Sequence, residues 1–297
     1  MTPKEFSKYL ALERQYSAHT VKAYMRDLLN FEAFCADEHK GSSLNEMPYV
    51  VIRSWIISCL EEGCSNRTVN RKVSALKAYY KFLLRKGYIS SNPLAGHRPL
   101  KTDRKIEVPF SQQEMRQLLT SWSDEDTDFE SLRDRLVVEL FYSTGIRRAE
   151  LIGIELTDLD IESKTLRVKG KRNKDRIIPI VENVMPRIVS YLQAREQAFP
   201  DLNTPYLFLS GSGNKIYETL VYRIINKYLS RVSEKVKKSP HILRHTFATH
   251  MLNQGADMNS VKELLGHASL ASTQVYTHNS IAELKKVHLR SHPRNKK

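Results

Sequence analysis

Apolar residues recur at helical spacing through the first hundred positions. In SAHTVKAYMRDLLNFEAFCADE they fall at Val21, Tyr24, Met25, Leu28, Leu29 and Phe31, behind a polar cap at Ser17. VVIRSWIISCLEEG predicts a second helix, stopped by Gly63. SNRTVNRKVSALKAYYKFLLRKG predicts a third, from a cap near Ser65 to Gly87, with Val69, Val73, Leu76, Tyr80 and Leu83 as its apolar stripe. The stretch NPLAGHRPLKTDRKIEVPF breaks the periodicity with prolines and reads as an extended linker. Ser111 then opens a new helix, SQQEMRQLL, with Glu114 completing a capping box. The pattern places a domain boundary near residue 105, dividing 1–105 from 106–297.

Beyond the boundary the pattern is α-rich with one small sheet. SLRDRLVVELFYSTG predicts a helix closed by Gly145, and RRAELIGI a short helix after it. KTLRVKGKRNKDRIIPI predicts a hairpin, two strands around the basic turn KGKRNK. SPHILRHTFATH starts a further helix, with Ser239 as cap and Pro240 in the first position. The expected fold class is mainly α: a helical N-terminal domain, then an α-rich domain with a small antiparallel sheet.

Composition narrows the class. The 297 residues are 41% hydrophobic and 27% charged, which is globular rather than disordered. No run of eighteen apolar residues exists, so no membrane partner is expected. The opening MTPKEFSKYLALERQYS lacks the apolar core of a signal peptide. Cys35, Cys59 and Cys64 are odd in number and form no C-x-x-C, which suits a reducing, cytoplasmic setting.

Charge changes the picture more. Lys and Arg number 47 against 33 acids, a net +14 that favours a polyanionic partner, nucleic acid first. From Gly63 to Thr102 there are nine Lys/Arg and no acid. On the third helix Arg67, Arg71, Ser74, Lys77, Lys81 and Arg85 recur at steps of three and four, with Lys72 beside them. A solvated face usually mixes signs, whereas a one-sign stripe suits a phosphate backbone. Arg172 and Lys174 in the hairpin turn extend the basic set.

The stretch 239–250 raises a chemical question. His241, Arg244, His245 and Ala248 share one helical face. His241 and His245 have the spacing of two metal ligands, but no glutamate accompanies them as in H-E-x-x-H, and Arg244 brings a positive charge beside the cation. A buried histidine cluster is a second reading, and an anion site a third. Elsewhere Arg147 stands just past Gly145, Lys171 in the hairpin turn, and His267 nine residues before Tyr276. Two arginines, one lysine, two histidines and one tyrosine make a set complete for phosphoryl transfer without a metal.

The motifs TGIRRAEL, VKGKRNKDRIIPI, PHILRHTFATHML, ELLGHASLASTQVYTH and a terminal HPR occur in this order. With SAHTVKAYMRDL and SALKAYYKFLLRKG in the first domain, the sequence closely resembles the tyrosine recombinases, the phage integrase family, and their Xer branch. The resemblance implies a core-binding, SAM-like domain at 1–105 and a tyrosine-recombinase catalytic domain at 106–297. It assigns catalysis to Arg147, Lys171, His241, Arg244, His267 and the nucleophile Tyr276, with Glu150 supporting the site. Arg148 departs from the family pattern, where that slot is often uncharged. The resemblance further implies double-stranded DNA with inverted half-sites as partner, closed on by the two domains as a C-shaped clamp. It implies a DNA-bound tetramer, homomeric or with a paralogous recombinase, a C-terminal segment docked on a neighbouring subunit, and a DNA translocase as a possible activator. No cofactor and no metal are expected.

The chemistry fits these residue types. In-line attack on a phosphodiester builds negative charge on its non-bridging oxygens, and two guanidinium forks can each donate two hydrogen bonds there. The tyrosine, with a free pKa of about 10, needs a cationic pocket or a base. A lysine can protonate the departing 5′ oxygen. The expected activity is site-specific recombination through a 3′-phosphotyrosyl bond, in the Xer role of resolving chromosome or plasmid dimers. An integrase or invertase of a mobile element would share the chemistry. A type IB topoisomerase, a DNA-binding architectural factor with a dead site, and a metal-dependent nuclease are the remaining readings.

Overall fold

The computed structural model describes residues 3–38, 44–102, 107–122, 127–170, 175–235, 238–266 and 286–295. The chain divides into two compact units, residues 1–105 and 106–297.

The first unit is helical. α1 (Pro3–Lys8) runs into a π-helical turn at Tyr9–Glu13, followed by α2 (Ala18–Glu38), α3 (Tyr49–Glu61) and α4 (Asn66–Arg85). The Ser65 hydroxyl accepts from the Thr68 N–H and starts α4, satisfying one of the donors that a helix N-terminus leaves open. Val69, Val73, Leu76, Tyr80 and Leu83 are buried as the periodicity predicts, and Ala75, Tyr79 and Phe82 widen the stripe. They meet Phe6, Leu10, Leu28, Phe31, Ile52 and Trp55 in one core. The described part of the linker is fixed rather than loose. The Asn70 amide donates to the Leu100 carbonyl (2.8 Å) and accepts from its N–H (2.9 Å), and Asn66 Nδ2 donates to Lys101 (2.7 Å). Two asparagines one helical turn apart thus hold an extended segment against α4.

The second unit is built around one buried helix. It comprises α5 (Gln112–Thr120), α6 (Phe129–Thr144), α7 (Arg148–Gly153), strands β1 (Leu159–Asp160), β2 (Thr165–Lys169) and β3 (Asp175–Pro179), then α8 (Met185–Ala198), α9 (Glu218–Leu229), α10 (Pro240–Asn253) and α11 (Met258–Leu265). Residues 286–291 are helical and a 3₁₀ turn follows at Pro293–Asn295. The capping box at Ser111 and Glu114 is formed in both directions. The sheet runs β1-β2-β3, antiparallel throughout. The expected hairpin is its β2–β3 half. The two-residue β1 was not legible, being too short to carry a period.

α6 is buried at every position from Arg133 to Thr144. Its charged residues are therefore paired inside: Arg133 with Asp134 (2.8 Å), Arg135 with Glu139 (3.3 Å), and Glu139 with Arg294 (2.7 Å). Gly145 ends the helix at φ +61°. A Cβ there would lie 2.4 Å from Phe247 Cδ1 and 2.8 Å from Leu265 Cδ2, so both the dihedral and the packing require glycine. Helix α10 starts where expected, but Ser239 caps it differently. Its carbonyl receives the Ile242 N–H (3.0 Å) while its hydroxyl makes no capping bond.

Candidate functional site

Three arginines meet at the end of α11. The last carbonyls of a helix have no partner within it and carry its partial negative charge. Here the Leu264 carbonyl accepts from Arg176 Nε (2.9 Å), Leu265 from Arg244 Nη2 (2.6 Å) and Gly266 from Arg147 Nη2 (3.0 Å). Three successive carbonyls thus orient three guanidiniums. Arg244 also donates to the carbonyl of Gly145 (2.6 Å), tying the end of α6 to the end of α11.

Glu150 holds the cluster together electrostatically. It sits at the third position of α7 and accepts the Arg147 N–H (2.8 Å) and Arg147 Nη1 (2.7 Å). Arg176 grips the same carboxylate with both arms of its fork, Nη1 at 2.9 Å and Nη2 at 2.8 Å. Burial works to raise the Glu150 carboxyl, but the bonds and charge of Arg176, with those of Arg147, outweigh it and hold it down to about 2. Burial lowers Arg244 to about 10, and the charges of Arg147 and Arg176 push the same way. Three guanidiniums around one carboxylate leave a net positive centre. The Arg147 side chain keeps 36% of its surface, whereas Arg176 keeps 5% and Glu150 6%. Arg147 thus faces outward from a buried support.

His241 lies in the first turn of α10 and is exposed, on the same face as the half-buried Arg244. His245 is exposed one turn on, while His250 is buried and its Nδ1 pairs with the Tyr142 hydroxyl (3.0 Å). Among the described residues no three His, Cys, Asp or Glu side chains gather as a metal site. Arg148, the departure from the family pattern, turns to Glu218 at 2.7 Å. Lys171, Arg172, Lys174, His267 and Tyr276 lie outside the described residues.

The basic helix α4 presents most of the expected stripe. Arg67, Ser74, Lys77, Lys81 and Arg85 are exposed. Arg71 pairs with the buried Asp27, and Arg85 reaches Glu13 at 3.2 Å. Lys72 turns off the stripe, with Nζ 3.5 Å from Cys59 Sγ and 5.6 Å from the centre of the Trp55 ring.

Two features escaped the sequence reading. Arg176 was seen only as part of the hairpin. Its signal was parity: Arg176 and Ile178 share the buried face of β3, so a charge stands on the inward side. The second is the C-terminal segment, expected to dock on a neighbouring subunit, whose residues 286–295 instead pack on α6 of the same chain. His288 Nε2 donates to the Ser143 carbonyl (2.7 Å) and His292 Nε2 to that of Tyr142 (3.0 Å). Both rings are fully buried. Within this chain, residues 286–295 cap the last turn of α6, directly before Gly145 and Arg147. Burial depresses His288 to about 4 and His292 to about 3. HPR alone carried no period that would announce this.

Residues 110–283 match the phage integrase family, and residues 4–87 match its N-terminal SAM-like domain. The chain belongs to the phage integrase family, the tyrosine recombinases, and it is a tyrosine recombinase family enzyme. Among its relatives is the tyrosine recombinase XerC of Mycobacterium tuberculosis, 38% identical, with 98% of each chain covered. The XerC proteins of Listeria welshimeri (37%; 98% of this chain and 97% of that one) and Chlorobaculum parvum (36%; 97% and 93%) are similar over nearly their whole lengths. Of solved structures, the XerA recombinase is 27% identical at a TM-score of 0.50, covering 96% of this chain and 97% of that one. XerH bound to palindromic difH substrate is 22% identical at a TM-score of 0.70, covering 97% and 84%, a likeness of fold.

Proposed function

We propose that this chain is a site-specific DNA recombinase of Xer type that cleaves and rejoins DNA through Tyr276. The Tyr276 oxygen attacks the scissile phosphorus, the bond to the 5′ oxygen breaks, and Lys171 gives that oxygen a proton. The 3′-phosphotyrosyl bond keeps the energy of the phosphodiester, so a 5′ hydroxyl from another strand reverses the step without ATP. Arg147 and Arg244 hold the non-bridging oxygens as their charge grows. His241 and His267 donate hydrogen bonds or carry the tyrosine proton. Arg67, Arg71, Lys77, Lys81 and Arg85 of α4, with Arg172 and Lys174, meet the phosphate backbone and supply affinity. Lys72, turned toward Trp55, contributes less than the sequence pattern suggests.

The carrying observation is the guanidinium cluster. Arg147 and Arg244 are oriented by the end of α11 and by Glu150 before any substrate arrives. A preorganised cationic centre of this kind is worth most when charge develops in the transition state. The curated relatives carry the name XerC, which favours the housekeeping role over a mobile-element integrase or invertase. The assembly that follows is a DNA-bound tetramer on inverted half-sites, homomeric or shared with a paralogous recombinase, in the cytoplasm, with a translocase as a further partner. Exchange of two strands on two duplexes requires four active sites.

The test is covalent trapping on nicked duplexes carrying a Xer-type site, in chelator. An adduct mapped to Tyr276 and lost in Tyr276→Phe is the expected result. Cleavage that appears only with added metal overturns the reading in favour of a metal-dependent nuclease. DNA binding with no adduct in either protein points to an architectural factor instead.

A further inference from the structure

We propose that Arg176 is a positioning residue for DNA cleavage, acting through Glu150 on the phosphate-binding Arg147. The inference rests on the recombinase reading above and concerns a residue that reading leaves without a role.

Three observations carry it. Arg176 makes a two-armed pair with Glu150, at 2.9 and 2.8 Å, while its Nε holds the carbonyl of Leu264 at 2.9 Å. All three donor nitrogens are therefore committed to the support of other groups, and at 5% exposure none is presented to DNA. The same carboxylate receives both the backbone N–H and a guanidinium arm of Arg147. Two anchors fix Glu150, and Glu150 in turn fixes Arg147.

The approach is close enough to shape the sequence around it. A Cβ at Gly266 would lie 3.1 Å from Arg176 Nη1 and 3.2 Å from its Cδ and Cζ. Gly266 also stands at φ +63°, so the glycine before His267 serves both the backbone and the guanidinium. In the sheet, Arg176 pairs with Val168, one step from the Lys169–Asp175 pair that closes the described part of the hairpin. Arg176 thus ties the base of the hairpin that continues into Lys171 to the helix end that precedes His267.

Removing Arg176 leaves a buried carboxylate with one partner instead of two. The Glu150 carboxyl, held low in the parent, then titrates higher, and its protonated form no longer attracts Arg147. Misplacement of a phosphate-binding group by about 1 Å costs roughly 100-fold in rate.

The experiment compares the parent with Arg176→Gln, Arg176→Lys, Glu150→Gln and the double variant Arg176→Gln/Glu150→Gln. Adduct formation on a nicked site-bearing duplex is timed at saturating protein from pH 5 to 8. Melting temperature and DNA affinity are measured alongside. Arg176→Gln should cleave about 100-fold more slowly at unchanged DNA affinity, with a new fall in rate on the acid side. Arg176→Lys, which keeps the charge but not the fork, should flatten the acid side and recover part of the rate. The double variant should be no slower than Glu150→Gln alone and should show no acid fall, because both substitutions act on one path.

An Arg176→Gln protein that cleaves within about threefold of the parent across this range overturns the inference. Losses that multiply in the double variant also overturn it. If Arg176→Gln does not fold, Arg176→Lys and the charge-free double variant decide the matter by the same criteria. Failure of the recombinase reading shows differently: the parent itself then forms no adduct at Tyr276, and the inference falls with it.

Discussion

Helix α4 and the end of α11 are both rich in positive charge, and they hold it in opposite ways. On α4 the side chains of Arg67, Lys77 and Lys81 stand in solvent on one face of a helix. At α11, Arg147, Arg176 and Arg244 are half-buried or buried, with main-chain carbonyls and one carboxylate fixing their directions. Charge in water acts at a distance and is screened by salt. Charge fixed in a low-dielectric cluster acts at one point and has lost its reorganisation cost in advance. On the proposed function, the same residue types separate into attraction for a polyanion and stabilisation of one reacting phosphate.

The largest effect should come from the fixed cluster. Arg244→Ala removes a guanidinium held by both Gly145 and Leu265, and should lose about 2.7–4 kcal/mol of transition-state stabilisation. Single-turnover cleavage should fall roughly 100- to 1,000-fold while DNA affinity changes little. Equal losses in affinity and rate would erase the distinction between the two regions.

Acid should reach the buried region and leave α4 untouched. His288 and His292 titrate far below the usual histidine value because burial disfavours their charged forms. An unfolded or undocked chain therefore takes up protons first, and stability falls as pH drops from about 6.5 toward 4. Each ring contributes up to about 1.4 kcal/mol per pH unit in that window. His250, also lowered by burial, adds in the same direction. Glu150 and Glu114, both held at about 2, lose their contribution only as pH falls below the ordinary carboxylate range. Urea melts at pH 7, 6 and 5 measure the slope, and a His288→Gln/His292→Gln variant should flatten it. A slope unchanged in that variant would mean that the tail is not what acid releases.

Salt should do the reverse. DNA affinity of the parent should fall steeply with salt, and Arg67→Ala/Lys77→Ala/Lys81→Ala should reduce the log–log slope by about 0.9 for each phosphate that is no longer neutralised. Cleavage at saturating protein should match the parent. A triple variant with the parental slope would remove α4 from the DNA-binding surface.

The smallest effect concerns how helix α4 begins. One hydroxyl starts it, so Ser65→Ala should cost about 1 kcal/mol in a urea melt and nothing in single-turnover cleavage. A cleavage defect would show that the start of α4 reaches the chemistry.

Much of this was legible in the chain. The stripe Val69–Leu83 fixed α4 and its buried face, and Ser111 with Glu114 fixed the start of α5. Gly145 announced the end of α6, and Glu150 stood in a motif that marked it beside Arg147. Local spacing suffices for such features, because a helix is made of contacts three and four residues apart. Arg176 was half legible, since strand parity placed a charge inward but gave no partner. Lys72 shows the opposite limit. It sits in a basic run, yet its side chain is drawn to Trp55 and Cys59, which lie on another helix.

By itself, then, the sequence determined the helices, the basic face and the family, and it named candidate reacting groups, all of which depend on near neighbours or on motif wording. Only the tertiary structure decided that Arg147, Arg176 and Arg244 share one helix end, and that Glu150 serves two of them. It also decided that His288 and His292 cap α6 from nearly one hundred and fifty residues away. Carbonyls at helix ends have no partner of their own, so they recruit donors from wherever the fold delivers them, and no local pattern records which donors those will be.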